Sequence, residues 1–168
     1  MSYKLFKITQ HIKKYMHEYP PSAVGIERLY VPPKGKGIAS AEVNYRVHGI
    51  INCLLYKVPQ YYYTPSQIKM NVQNGRAPKN VVKACLIYRF PELKSLFKHN
   101  NYGTRKDPKW TDEDQSDACG ACLSLLLEER LITYDKPLLK EIKPIIVEED
   151  ELNKFLLKNP KEGKEKAK

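Results

Sequence analysis

Asp114 and Asp117 stand three apart in the stretch 111–130, TDEDQSDACGACLSLLLEER. At that spacing they share one face of a helix. The small residues Ala118, Gly120 and Ala121 beside them let such a helix lie close against a neighbour. Two carboxylates at the mouth of a buried helix are hard oxygen ligands, suited to a cation such as Mg2+. The same residues have a plainer use. Thr111 and Asp114 make a capping box, and acids in a first turn gain about 0.3–1 kcal/mol each from the helix dipole. Asp112, Glu113 and Asp114 therefore need no chemistry. Asp117 lies past that turn among small residues expected to be buried, and a half-buried acid needs a partner.

The remaining candidates lie upstream. Glu27 interrupts the apolar segment 22–30, SAVGIERLY, near its C-terminal end. Ligand sites in open α/β sheets lie outside the carboxyl ends of strands, although a simple ion pair with Arg28 or another base would serve equally. Lys34 and Lys36 sit in the turn VPPKGKG just after Tyr30. An aromatic beside lysines can stack on a base, and a solvated loop is the alternative. Lys69, Arg76, Lys79 and Lys83 crowd a helix–turn–helix stretch. Helix N-termini with lysines bind phosphate; ordinary surface lysines look the same in sequence.

The elements that must position these groups follow from periodicity. Leu5, Ile8, Ile12 and Tyr15 predict a helix over 3–17, ended by Pro20 and Pro21. The segment 22–30 reads as a buried strand between prolines. Val43, Val47, Ile50, Ile51, Leu54, Leu55 and Val58 predict a helix over 39–58, the longest expected, in which Gly49 implies close packing. QYYYT, 60–64, is a second strand, so strand, helix and strand form a βαβ unit with parallel strands and a right-handed crossover. Pro65 opens a short helix, Asn74-Gly75 makes a turn, and Pro78 starts a helix with Val81, Val82, Cys85 and Leu86 inward. Residues 91–110 predict a short helix and a loop, 131–134 a short strand or an extended tail, and 148–157 a short helix. The chain is expected to divide into a body, 1–135, and a partly disordered charged tail, 136–168.

Composition narrows the classes. The 168 residues suffice for one domain with a real core. Mean hydropathy is −0.57, and no apolar run approaches the roughly 20 residues that span a bilayer. No partner membrane is expected, and the N-terminal residues lack the apolar core of a signal peptide. Cys53, Cys85, Cys119 and Cys122 fall in apolar helical patterns, as small core residues of a reduced, cytoplasmic protein. Cys119 and Cys122 form a CxxC with no second pair at metal-ligand spacing, so zinc or redox use is not expected. The net charge is +10, and nine lysines against seven acids from Lys136 onward leave +8 on the preceding residues. A basic body points to a polyanion partner.

A βαβ unit, an acid ending its first strand and two acids on a later helix together resemble the RuvC family of Holliday junction resolvases, within the RNase H-like nuclease superfamily. The resemblance runs over residues 5–127. VGIERLY is similar to the family strand that ends in a catalytic glutamate, which implies that role for Glu27. The aromatic that the family places three residues later, against the junction crossover, falls on Tyr30. GIASAEVNYRVHGIINCLL resembles the family's long dimer-interface helix. IKMNVQNGRAPKNVV resembles the stretch whose two lysines approach DNA, implying Lys69 and Lys79. DQSDACGA resembles the family's Asp-x-x-Asp-Ala helix start, implying metal-binding and catalytic roles for Asp114 and Asp117.

The resemblance implies an α/β fold, a mixed sheet flanked by helices. It also implies a homodimer through the 39–58 helix and phosphodiester cleavage at four-way DNA junctions by two Mg2+ or Mn2+ ions. The family's first strand, with its metal-binding aspartate, has no counterpart here: no Asp precedes Asp107. The expectation is therefore an N-terminally truncated form of the fold, to which a separate N-terminal piece would supply the missing strands, from a phage-type relative acting in the bacterial cytoplasm. Without that strand, 22–30 becomes an exposed apolar edge, prone to aggregate or recruit another chain. Two other classes stay open. One is a non-catalytic junction-binding or assembly module whose acids are vestigial. The other is a basic protein–protein adaptor, which would show no salt-dependent DNA binding.

Overall fold

The computed structural model describes residues 2–29, 38–97 and 111–158. They form α1 (Ser2–Glu18), β1 (Val24–Glu27), α2 (Ile38–Leu54), β2 (Gln60–Tyr63), α3 (Pro65–Val72), α4 (Lys79–Arg89), α5 (Leu93–Leu96), α6 (Thr111–Glu128) and α7 (Leu139–Lys158). The result is helix-rich with a small two-stranded parallel sheet, compatible with an α/β fold. The chain divides into two compact units, Met1–Thr64 and Pro65–Lys168. That division lies well before the body–tail boundary expected near residue 135.

In the first unit, β1 and β2 pair in parallel, with Val24 opposite Gln60 and Glu27 opposite Tyr63. The Val24 N–H donates to the Pro59 carbonyl at 2.9 Å, and the Arg28 N–H to that of Tyr63 at 2.6 Å. The strand is shorter than 22–30 and mostly half-buried. Of its four residues only Ile26 is buried, because a two-stranded sheet covers little of either face. α1 packs on α2, with Leu5, Ile8, Ile12 and Met16 half-buried on the inward stripe. Tyr15, expected on that stripe, is instead 61% exposed.

α2 ends at Leu54, followed by a turn in which the Val58 N–H donates to the Leu55 carbonyl at 2.8 Å. Pro59 cannot donate and stops any further turn. With 17 residues α2 is not the longest helix: α6 has 18 and α7 has 20. Gly49 is exposed, and a Cβ built there meets nothing within 4 Å. Close packing therefore does not account for it.

In the second unit, α3 opens at Pro65 as expected, and the Asn74 turn is closed twice. The Ala77 N–H donates to the Asn74 carbonyl at 3.0 Å, and the Arg76 N–H to Asn74 Oδ1 at 3.0 Å. The core gathers Val72, Ala77, Val82, Ala84, Cys85, Leu86, Leu123 and Ile142 from α3, α4, α6 and α7. α6 lies against α3 and α4, and α7 lies against α4. Gly120 sets the closeness of α6 to α3, since a Cβ there would stand 2.6 Å from Ile68 Cγ2.

α6 ends in a Schellman turn. Arg130 takes φ 54°, the Leu131 N–H donates to the Leu126 carbonyl at 2.9 Å, and the Arg130 N–H to that of Leu127 at 3.1 Å. Residues 132–138 belong to no helix or strand. Gln73 holds them to the end of α3 through a 2.6 Å bond to the Pro137 carbonyl.

α7 begins at Leu139 rather than at 148 and runs through Pro144. Pro144 reads as a breaker in sequence because it removes one helical donor. The Lys140 carbonyl left without that donor lies on an exposed residue, while Ile142 is fully buried and anchors the turn. Two of the four cysteines also depart from expectation. Cys85 is buried and Cys119 half-buried, but Cys53 and Cys122 are exposed on their helices.

Candidate functional site

The first turns of α6 sort their acids by the helical advance of 100° per residue. Asp112 turns inward and is 2% exposed, with Ser116 one turn on, fully buried. Glu113 and Asp117, four apart, face the start of α4. There Lys79 Nζ lies 3.3 Å from Glu113 Oε2 and 3.4 Å from Asp117 Oδ2. Asp114 is exposed on another part of the helix surface. The acid that partners Asp117 around a shared cation is thus Glu113, four residues away, and the cation is a lysine of the protein itself.

This lysine is held charged. Partial burial works against the Lys79 ammonium, but the charges of Asp117 and Glu113 outweigh it and raise its pKa above the ordinary lysine value. The pair is half-exposed, so its contribution to stability is small.

Lys83, one turn along α4, does not stand with the exposed bases. Its ammonium is buried and donates to Asp112 of α6 and to Glu149 of α7, both buried. The Phe97 ring centroid is 6.0 Å from the same nitrogen. Burial pulls the Lys83 pKa down, against the opposing hydrogen bond and charge of Asp112. A lysine committed in this way cannot reach a phosphate without breaking a buried ion pair, so Lys83 belongs to the packing of three helices.

Lys69 is half-buried near the end of α3, and Arg76 is exposed in the turn after it. Glu27 ends β1 in the first unit, half-buried and opposite Tyr63. Tyr30, Lys34 and Lys36 lie outside the described residues.

A divalent ion needs several converging oxygen ligands. Among the described residues no three Asp, Glu, His or Cys side chains form such a cluster. Lys79 offsets one of the two charges of Glu113 and Asp117, and Asp114 is exposed on another part of the helix surface. Among the described residues of the second unit, Glu113 and Asp117 are held by Lys79 rather than gathered with a third acid.

Sequence reasoning missed Asp112, Glu113 and Glu149. The signal for Asp112 was present: Asp112, Ser116 and Gly120 recur every four residues, the spacing of one inward helix face. Glu149 carried no comparable signal: it lies in a stretch expected to be a short helix within the charged tail.

No protein-family model matches the chain. Over 91 residues it is 30% identical to the crossover junction endodeoxyribonuclease RuvC of Corynebacterium diphtheriae, covering 51% of this chain and 53% of that protein. The chain therefore spans about half the length of the curated relative it matches. The similarity supports a RuvC-like relationship. No described helix is long and apolar enough to cross a membrane.

Proposed function

We propose that this chain acts on branched DNA as a RuvC-like, structure-selective endonuclease that recognises four-way junctions and is assembled as a dimer through α2. The observation that carries this reading is the 91-residue similarity to a crossover junction endodeoxyribonuclease. The net charge of +10 supplies the electrostatic attraction that a polyanion requires. Lys69, Arg76 and Lys79 are the proposed phosphate contacts of the second unit; Tyr30 is proposed for the stacking role implied by the resemblance, and Lys34 and Lys36, beside it in sequence, for contacts to the DNA backbone. Glu27, Asp114 and Asp117 are the proposed catalytic acids. The two-metal chemistry implied by the resemblance would need further oxygen ligands beside these acids, since among the described residues no three acids form a metal-binding cluster.

A second reading is favoured by one contact. Lys79 sits between Glu113 and Asp117, which suits a module that binds junctions without cutting them. One experiment separates the two. The purified chain is incubated with a labelled four-way junction with and without Mg2+, beside the Asp114→Asn/Asp117→Asn variant. Metal-dependent symmetrical nicking that disappears in the variant supports the nuclease. Binding without nicking in either protein supports the module. Absence of salt-dependent binding to any DNA overturns both.

A further inference from the structure

The outward face of α1 has no role in the reading above. Positions 3, 6, 7, 10, 13, 14 and 17 recur at helical spacing and bring together Tyr3, Phe6, Lys7, Gln10, Lys13, Lys14 and His17, all exposed. Tyr3 is 66% exposed and Phe6 58% exposed. Leaving two aromatic rings in water forgoes the burial that usually stabilises them, while the same helix already has a separate apolar stripe packed on α2. The exposed rings are therefore not the core-facing side of the helix.

The charge on this face is of one sign. The only acid of α1 is Glu18, at its end, 3.7 Å from Lys14. Lys7 Nζ stands 5.2 Å from the Tyr3 ring centroid, so ring and ammonium form one composite surface. The first unit, Met1–Thr64, holds nine lysines and arginines against three glutamates. From residue 3 to residue 17 the stripe is about 21 Å long at helical rise, enough to follow several phosphates.

Rings interleaved with lysines match a ligand that presents flat apolar faces along an anionic backbone. Single-stranded DNA does so, since each unpaired base offers a π-face and each linkage a charge. Duplex DNA hides its base faces in the stack. A membrane surface calls for a continuous apolar face with lysines at its margins; here the lysines share the stripe with the rings, and the continuous apolar face is taken up by α2.

We infer that the outward face of α1, centred on Tyr3, Phe6, Lys7, Lys13 and Lys14, binds single-stranded DNA. The inference rests on the DNA partner of the proposed function and is independent of catalysis. Every side chain involved is exposed, so its replacement should leave folding intact, as a circular-dichroism melt would verify.

The test measures fluorescence anisotropy of the full chain with fluorescein-labelled (dT)20 and with a labelled four-way junction over a range of salt. The chain is compared with Tyr3→Ala/Phe6→Ala and with Lys7→Gln/Lys13→Gln/Lys14→Gln. Loss of two stacking platforms is expected to weaken (dT)20 binding about tenfold or more. Loss of three lysines is expected to reduce the salt slope on (dT)20 by about 2. Junction binding should change less than (dT)20 binding in both variants. Unchanged (dT)20 binding in both variants overturns the inference. So does a wild-type chain that binds the junction but not (dT)20, a result that leaves the junction reading intact. Binding to neither DNA overturns both readings. Binding to phosphatidylserine vesicles that exceeds binding to (dT)20 assigns the face to lipid and also overturns the inference.

Discussion

Lys83 of α4 donates its buried ammonium to Glu149 of α7, 66 positions further along the chain. The same nitrogen also donates to Asp112 of α6, 29 positions away. One lysine thereby ties together three helices of the second unit. A buried charge stripped of its partner is costly, typically by about 3–5 kcal/mol, whereas replacing a whole ionic group with apolar residues is often neutral or stabilising. Lys83→Met should lower stability by about 3–5 kcal/mol in urea unfolding. Lys83→Met/Asp112→Leu/Glu149→Leu should recover much of that loss. A Lys83→Met variant within about 1 kcal/mol of wild type would show that the two acids find other compensation.

Gly120 and Gly49 should respond in opposite directions to alanine. In an open helix position, Gly→Ala gains about 0.8–1 kcal/mol. A Cβ at Gly49 meets nothing within 4 Å, so Gly49→Ala should gain nearly that amount. At Gly120 the added carbon would stand 2.6 Å from the Ile68 Cγ2, and Ile68 is 2% exposed with little room to move. Gly120→Ala should therefore destabilise by about 1–3 kcal/mol, the usual cost of overpacking. Ile68→Leu removes the offending branch, so the double variant should be more stable than the sum of the single changes. A thermal-melt cycle over the four proteins measures this coupling.

Arg130 occupies the left-handed position of the Schellman turn, at φ 54°. A side chain there costs roughly 1–2 kcal/mol that glycine avoids. Arg130→Gly should raise stability, by about 1 kcal/mol after allowance for the greater freedom of glycine in the unfolded chain. Arg130→Val should lower it. Chemical denaturation of both variants checks the pair, and a loss of stability in Arg130→Gly would mean that the arginine side chain contributes more than its backbone costs.

Cys85 predicts an alkaline limb to the stability curve. It is fully buried, and burial pushes its thiol from 9.0 up to about 11. Below pH 9 both folded and unfolded states keep the proton, and the contribution of this group is fully present. As pH rises from 9 towards 11 the unfolded chain ionises first, so stability falls, by about 2–3 kcal/mol for a shift of this size. The Tyr134 hydroxyl, also raised by burial, adds in the same direction at higher pH. Cys85→Ala should flatten the slope between pH 9 and 11 whatever it does to stability at pH 7. An unchanged slope would assign the alkaline limb to other groups.

Much of the local structure was legible in the amino-acid sequence. The helical spacing of Leu5, Ile8 and Ile12 gave α1, Pro65 opened α3, Pro78 preceded α4, and strand–helix–strand order implied the parallel pairing of β1 with β2. These features depend on neighbours a few residues away, where periodicity and proline act directly. The small residues around Gly120 likewise announced a close approach, though not that Ile68 would meet it. Other readings failed because they depended on distant partners. The helix expected over 148–157 begins at Leu139 and crosses Pro144 because Ile142 is fully buried, and Lys83, one of several lysines crowded in sequence, lies between buried Asp112 and Glu149. Helical spacing determines which side chains share a face. Only tertiary packing decides which face is buried and which charge stands opposite, and here it turned Asp112 inward, joined Glu113 with Asp117 on Lys79, and left Asp114 in solvent.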